Sequence, residues 1–115
     1  MNHQKILGKR GELAAKNWLI KNNYQIIATN LRIKNYEIDI VAKKNGFIVF
    51  FEVKTGNYKE NDQPLKNTQL QSLKKARLIY CQNNHVLPEK TRLDLIILTP
   101  KGKTARLEWL ANISP

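Results

Sequence analysis

Four charged residues stand out by their spacing. Glu37 and Asp39 lie in the segment YEIDIVAKK, and Glu52 and Lys54 lie in FIVFFEVKT. Both segments are rich in β-branched and aromatic residues, and the Asn45-Gly46 dipeptide between them is the strongest hairpin signal in the chain. With Asn45 and Gly46 at the centre of a type I′ turn, Lys44 faces Phe47, and each step back from Lys44 meets one step on from Phe47. That register sets Asp39 opposite Glu52 and Glu37 opposite Lys54, with all four side chains on one face. The other face pairs Ile38 with Val53, Ile40 with Phe51 and Ala42 with Val49, an apolar surface that belongs in a core.

Two carboxylates opposed at about 5 Å between Cβ atoms repel and destabilise a sheet. A hard divalent cation, Mg²⁺ or Mn²⁺, offsets that repulsion, because it takes oxygen ligands and bridges carboxylates to a substrate phosphate. Lys54 then orients or helps deprotonate the attacking water and offsets charge on a phosphoryl transition state. Surface ion pairs are the simpler alternative, Glu37 with Lys54 and Asp39 with an arginine from a helix. They account less well for Glu52, which interrupts an apolar run in a chain with only nine acids. Glu12 falls in line with Gly8, Ala15 and Leu19 on a helical wheel, so it points to the sheet, either as a further metal ligand or as a side chain that reaches the rim or pairs with Lys54.

The elements that position these residues are legible from periodicity. A helix is predicted from Gln4 to about Asn22, its stripe of Gly8, Gly11, Ala15, Trp18 and Leu19 small enough for close packing. Strands are predicted from Tyr24 to Ile33, Tyr36 to Lys44 and Phe47 to Thr55, with a turn at Lys34-Asn35. A polar loop, GNYKENDQP, precedes a second helix from Leu65 to about Asn83, and strands follow at Arg92 to Thr99 and Thr104 to Leu110, separated by the turn PKGK. Two-sided apolar strands need cover on both faces, so one domain over residues 1–115 is expected, an α/β/α sandwich with a mixed sheet of about five strands.

The chain has 115 residues, with 20 Lys and Arg against 9 Asp and Glu, a net charge of +11 that points to a polyanionic partner, nucleic acid first. Lys9, Arg10, Arg32 and Lys34 flank the acids in sequence and are candidate phosphate contacts, though each also reads as part of a solvated basic face. Gln69 shares a helical stripe with Leu73, Ala76 and Tyr80 and either faces the cleft or caps the helix. No apolar run approaches a membrane span, and the N-terminal sequence lacks a secretory signal, so a cytoplasmic location without membrane attachment is expected. Cys81 is the single cysteine and reads as a buried thiol; no Cys/His spacing suggests zinc. His3 and His85 are paired with no nucleophile, and Asp94 reads as structural, a partner for Arg92 or a helix.

Taken in order, Glu12, Asp39 and Glu52-Val53-Lys54 look like the metal-dependent nuclease motif PD-(D/E)XK. More closely, the run from GKRGELAA through NLRIKNYEIDIVA and IVFFEVK to RLDLIIL resembles the bacterial YraN-like family over nearly the whole chain. That family has a restriction-endonuclease-like fold similar to archaeal Holliday junction resolvases. The resemblance implies metal binding by Asp39 and Glu52, an assisting ligand at Glu12, catalytic support from Lys54 and a supporting role for Glu37. It implies a Mg²⁺- or Mn²⁺-dependent nuclease acting on DNA, with branched DNA and a homodimer suggested by the resolvase likeness. Three positions depart from the pattern: Tyr36 in place of a glycine, Gly56 in place of an arginine, and Gln69 in place of a lysine. The missing cations would contact phosphate, so a non-catalytic nucleic-acid-binding protein of the same fold is the rival reading. A docking protein for an acidic protein partner is the third.

Overall fold

In the computed structural model, which describes residues 3–59 and 61–114, a helix α1 (His3–Lys21) leads into strands β1 (Gln25–Ile33), β2 (Tyr36–Lys44) and β3 (Phe47–Thr55). Helix α2 (Asn67–Asn84), a single 3-10 turn (Pro88–Lys90) and strands β4 (Thr91–Lys101) and β5 (Thr104–Leu110) complete the chain. Glu60, within the expected polar loop, and the side chain of His3 lie outside the described residues. The element order is the expected one, and the β2 and β3 bounds match the prediction.

The strands form one sheet in the order β1-β2-β3-β4-β5, antiparallel except for the parallel β3–β4 pair. A parallel pair needs a crossover connection, and α2 supplies it. One helix covers each face. Ala15 and Leu19 of α1 pack on Ile40, Ala42, Val49, Phe51, Val53, Ile96 and Leu98. Leu73 and Ala76 of α2 pack on Ile38, Val41, Phe50 and Leu93. The result is an α/β/α sandwich consistent with a restriction-endonuclease-like fold.

Two boundaries moved for physical reasons. The second helix starts at Asn67, because Lys66 is extended and serves as its N-cap, its N–H donating to Gln69 Oε1 at 3.0 Å. Strand β4 runs past Thr99 through Pro100 to Lys101, so the PKGK segment is half strand. Its pairing with β3 ends at Leu98, so the ring of Pro100 interrupts no ladder bond on that side. Of the two glycines expected to allow close helix packing, only Gly11 does so. A Cβ there would lie 1.8 Å from Thr55 Oγ1, whereas one at Gly8 would meet nothing within 4 Å.

The hairpin tip has the predicted register, from Lys44↔Phe47 to Ile40↔Phe51, with Asn45 at φ 52° and Gly46 at φ 81° as a type I′ turn demands. Beyond Ile40 the predicted register is wrong. Neither Asp39↔Glu52 nor Glu37↔Lys54 forms a ladder pair; Asp39 Oδ2 instead accepts the backbone N–H of Val53 at 2.8 Å. The pleat changes sides at this point, so Ile38 lies with Val41 under α2 while Val53 lies under α1. Strand β1 makes the matching change, with Ala28 and Leu31 both packed under α2 and Asn30 between them at φ 51°.

Candidate metal centre and nucleic-acid face

The same change of side assembles the site. Glu52 follows Phe50 by two residues on β3 and so faces α2, whereas Glu12 is carried by α1 on the opposite face. Asp39 joins them, its carboxylate standing between the parted strands, close enough for its charge to act on each glutamate. Asp39 and Glu52 are both buried at 8% exposure, and Glu12 is half-buried.

Carboxylates this close resist ionising together. Burial, then the charge of Asp39 and a hydrogen bond with it, push Glu52 up to about 8, against the opposing pull of Tyr36 and Lys54. Burial, then the charges of Asp39 and Glu37, push Glu12 up to about 7, and Lys9 opposes this. At neutral pH the cluster therefore holds protons that a cation could displace. Among the described residues no group of three such side chains is arranged to hold a metal ion together. The donor set is nevertheless that of a hard cation: all carboxylate oxygen, two acids buried, and Asp39 close enough for its charge to act on each glutamate.

Two neighbours that the sequence reading left out of the site fix the acids. Tyr36 donates its hydroxyl to Glu52 Oε2 at 2.5 Å, and this bond together with burial raises the tyrosine's own proton affinity. Asn30, with its amide nitrogen turned to the carboxylates, donates to Glu12 Oε2 and Glu37 Oε1, each at 3.1 Å. Asn30 stands in the N-x-R part of the recognised motif, and asparagine is the residue most tolerant of positive φ after glycine. Tyr36 carried no signal except as a departure from the family pattern.

Glu37 therefore sits beside Glu12 and not opposite Lys54. Lys54 is half-buried two residues beyond Glu52, where its charge favours the ionised form of that acid; among the described residues it closes no salt bridge with Glu37. Lys9 lines a groove of about 470 Å³ with Gly8, Glu12, Asn30 and Glu37. Arg32 is exposed and paired across the ladder with Glu37, and Arg10 is exposed on α1. Lys34, at φ 52° in the β1–β2 turn, lines a different groove against α2. Gln69 uses its amide oxygen in the cap of α2, leaving only its nitrogen for a ligand. Asp94 is structural, as expected. It is fully buried and accepts from Arg92 Nε at 3.0 and 3.2 Å, Trp109 Nε1 at 2.8 Å and the N–H of Asn112 at 2.9 Å. Cys81 is buried and unpaired.

Residues 11–98 match the family described as "Uncharacterised protein family UPF0102". The chain belongs to UPF0102. This is the YraN family, whose resemblance was carried by the ordered acids and the FFEVK segment. A UPF0102 protein of Geobacter metallireducens is 34% identical over 113 residues, covering 96% of this chain and 93% of that one. One from Dictyoglomus turgidum is 32% identical over 117 residues, covering 97% and 98%. Among solved structures, SfsA of Pyrococcus furiosus in complex with Ca²⁺ is similar at a TM-score of 0.47 and 11% identity, over 90% of this chain and 63% of that one. No helix among the described residues is long and apolar enough to cross a membrane.

Proposed function

We propose that this UPF0102 protein is a Mg²⁺- or Mn²⁺-dependent nuclease that hydrolyses phosphodiester bonds of DNA. The observation that carries the reading is Asp39 set between Glu12 and Glu52, an acid cluster with two of its members buried, in a chain of net charge +11. Such a cluster is costly for folding alone and fits a cation that in turn attracts phosphate.

Asp39 and Glu52 would hold the ion, with Glu12 assisting from α1. When bound, the ion supplies Lewis acidity at a phosphoryl oxygen and a lowered pKa for water. The protein's own groups do the rest. Tyr36 fixes the Glu52 carboxylate by its hydrogen bond, and Asn30 fixes Glu12 and Glu37. Lys54 would bring a positive charge to the scissile phosphate, and Lys9, Arg10, Arg32 and Lys34 would neutralise flanking phosphates. Branched DNA is the substrate we favour within this class. Symmetric cutting of a junction takes two copies, for which edge strands β1 and β5 are available.

The test is cleavage of linear, nicked, flapped and four-way-junction DNA with Mn²⁺ or Mg²⁺, alongside Mn²⁺ titration calorimetry. Cutting that needs the metal and falls at least about a hundredfold in both Glu52→Ala and Lys54→Ala supports the enzyme, with Mn²⁺ binding lost in Glu52→Ala. DNA binding without cutting and without Mn²⁺ binding overturns it and leaves a nuclease fold used for binding alone.

A further inference from the structure

A second groove lies on the α2 side of the acid cluster. It measures about 540 Å³ and runs between the β1–β2 turn and α2. Its lining includes Tyr36, Leu78 and Ile79, with Lys34 on the turn and Lys75 on the helix, both exposed. Leu78 is 50% exposed, an uncovered apolar side chain beside two uncovered cations.

That combination matches one class of ligand. A single strand of nucleic acid presents flat, largely apolar bases alternating with phosphates, and proteins bind it with aromatic platforms between cations. A cavity of this size suits a nucleotide and is too small for a duplex, whose major groove alone is about 12 Å wide. An acidic peptide would satisfy the lysines but not the apolar floor. Continuity with the acids argues further, because Tyr36 lines the groove while its hydroxyl touches Glu52. A base on Tyr36 would therefore stand next to the carboxylates. The groove at Lys9 and Glu12 lies on the α1 side of the same cluster and reaches it through Glu12, as this one does through Tyr36.

We propose that the groove between the β1–β2 turn and α2 is a subsite for an unpaired nucleic-acid strand, held at its phosphates by Lys34 and Lys75 and stacked at a base by Tyr36. It deepens the nuclease reading and rests on it for the role of the acids: the substrate is DNA that carries an unpaired strand beside the bond to be cut.

Binding measured in EDTA tests the subsite without requiring turnover. A labelled single-stranded oligonucleotide is titrated with wild type, with Lys34→Glu/Lys75→Glu, and with Lys101→Glu/Lys103→Glu, which makes the same charge change at the exposed β4–β5 turn. The expected result is a loss of at least about tenfold in the first variant and about two- to threefold in the second. An oligonucleotide bearing 5-iodouracil should photocrosslink to Tyr36. Equal losses in the two variants, or crosslinks confined to residues outside the groove, would overturn the subsite. Loss of cutting in Glu52→Ala with groove-dependent binding retained leaves it standing. Absence of any cutting by wild type under the same binding result sinks only the nuclease. A wild-type protein that binds no DNA defeats both.

Discussion

Asp39 takes the backbone N–H of Val53 with its carboxylate, at 2.8 Å, in place of the ladder bond that Ile38 would otherwise supply. The acid is thus both an acceptor that closes the sheet and the centre of the carboxylate cluster. The two roles separate by substitution. Asp39→Asn keeps an oxygen for Val53 and removes the charge, so its stability should stay within about 1 kcal/mol of wild type. Asp39→Ala leaves a buried N–H without a partner and should cost about 1–3 kcal/mol. If Asp39 holds the ion as proposed, both should lose the stabilisation by Mn²⁺ that is expected of wild type. Urea unfolding with and without the ion reads each effect.

The raised glutamates predict a stability that falls with pH. Glu12 and Glu52 have folded values of about 7 and about 8 against an ordinary 4.5. The folded state therefore binds more protons than the unfolded one between those limits. Their contribution is fully present below about 4.5 and is lost as pH rises to about 8. In EDTA the urea midpoint should decline across that window, and Glu52→Gln should flatten the decline. Added Mg²⁺ should oppose it, most strongly at the alkaline end, where both glutamates are ionised and repel most. A midpoint that rises through the window would contradict the cluster.

Tyr36→Phe isolates the clamp on Glu52. The hydroxyl's hydrogen bond favours the ionised carboxylate, so removing it should raise the proton affinity of Glu52 further. The alkaline shoulder of the stability profile should then move to higher pH, and Mn²⁺ should bind more weakly below pH 8, where protons compete better. The fold should lose about 0.5–1.5 kcal/mol. Unchanged Mn²⁺ affinity across the pH range would assign the hydroxyl to packing alone.

The hairpin tip was legible because Asn45-Gly46 has the backbone preference of a type I′ turn, and the turn type dictates the register next to it. The same reasoning failed six residues from the turn, because a period of two presumes an unbroken ladder. A side chain that replaces a ladder bond leaves no mark in the pattern of apolar residues: Ile38 and Ile40 look alike in sequence, yet they face opposite helices. The acids come together by a geometry other than the predicted one, since Asp39 and Glu52 meet across parted strands and Glu37 turns to Glu12. Asn30 was hidden for a related reason, because its positive φ matters only alongside the partner strand's own change of side. The basic residues remained interchangeable in sequence, as surface lysines are placed by tertiary packing that no local spacing encodes.

Gly11 ties the fold to the site most directly. It sits one residue before Glu12 and against the end of β3, where an added Cβ would lie 1.8 Å from Thr55 Oγ1 and 2.9 Å from its Cβ. Gly11→Ala must therefore push α1 off the sheet or distort Thr55, at about 1–3 kcal/mol, although alanine favours helix by itself. Thr55→Ala removes the nearer atom but leaves the Cβ, so the double variant should recover part of the loss and no more. Because α1 carries Glu12, the displacement should also weaken Mn²⁺ binding in Gly11→Ala. Gly8→Ala, three residues earlier on the same helix with open space around it, should gain up to about 1 kcal/mol and leave the ion unaffected. A double-variant cycle in urea, repeated with Mn²⁺, measures both couplings, and loss of stability without loss of Mn²⁺ affinity in Gly11→Ala would remove Glu12 from the ligand set.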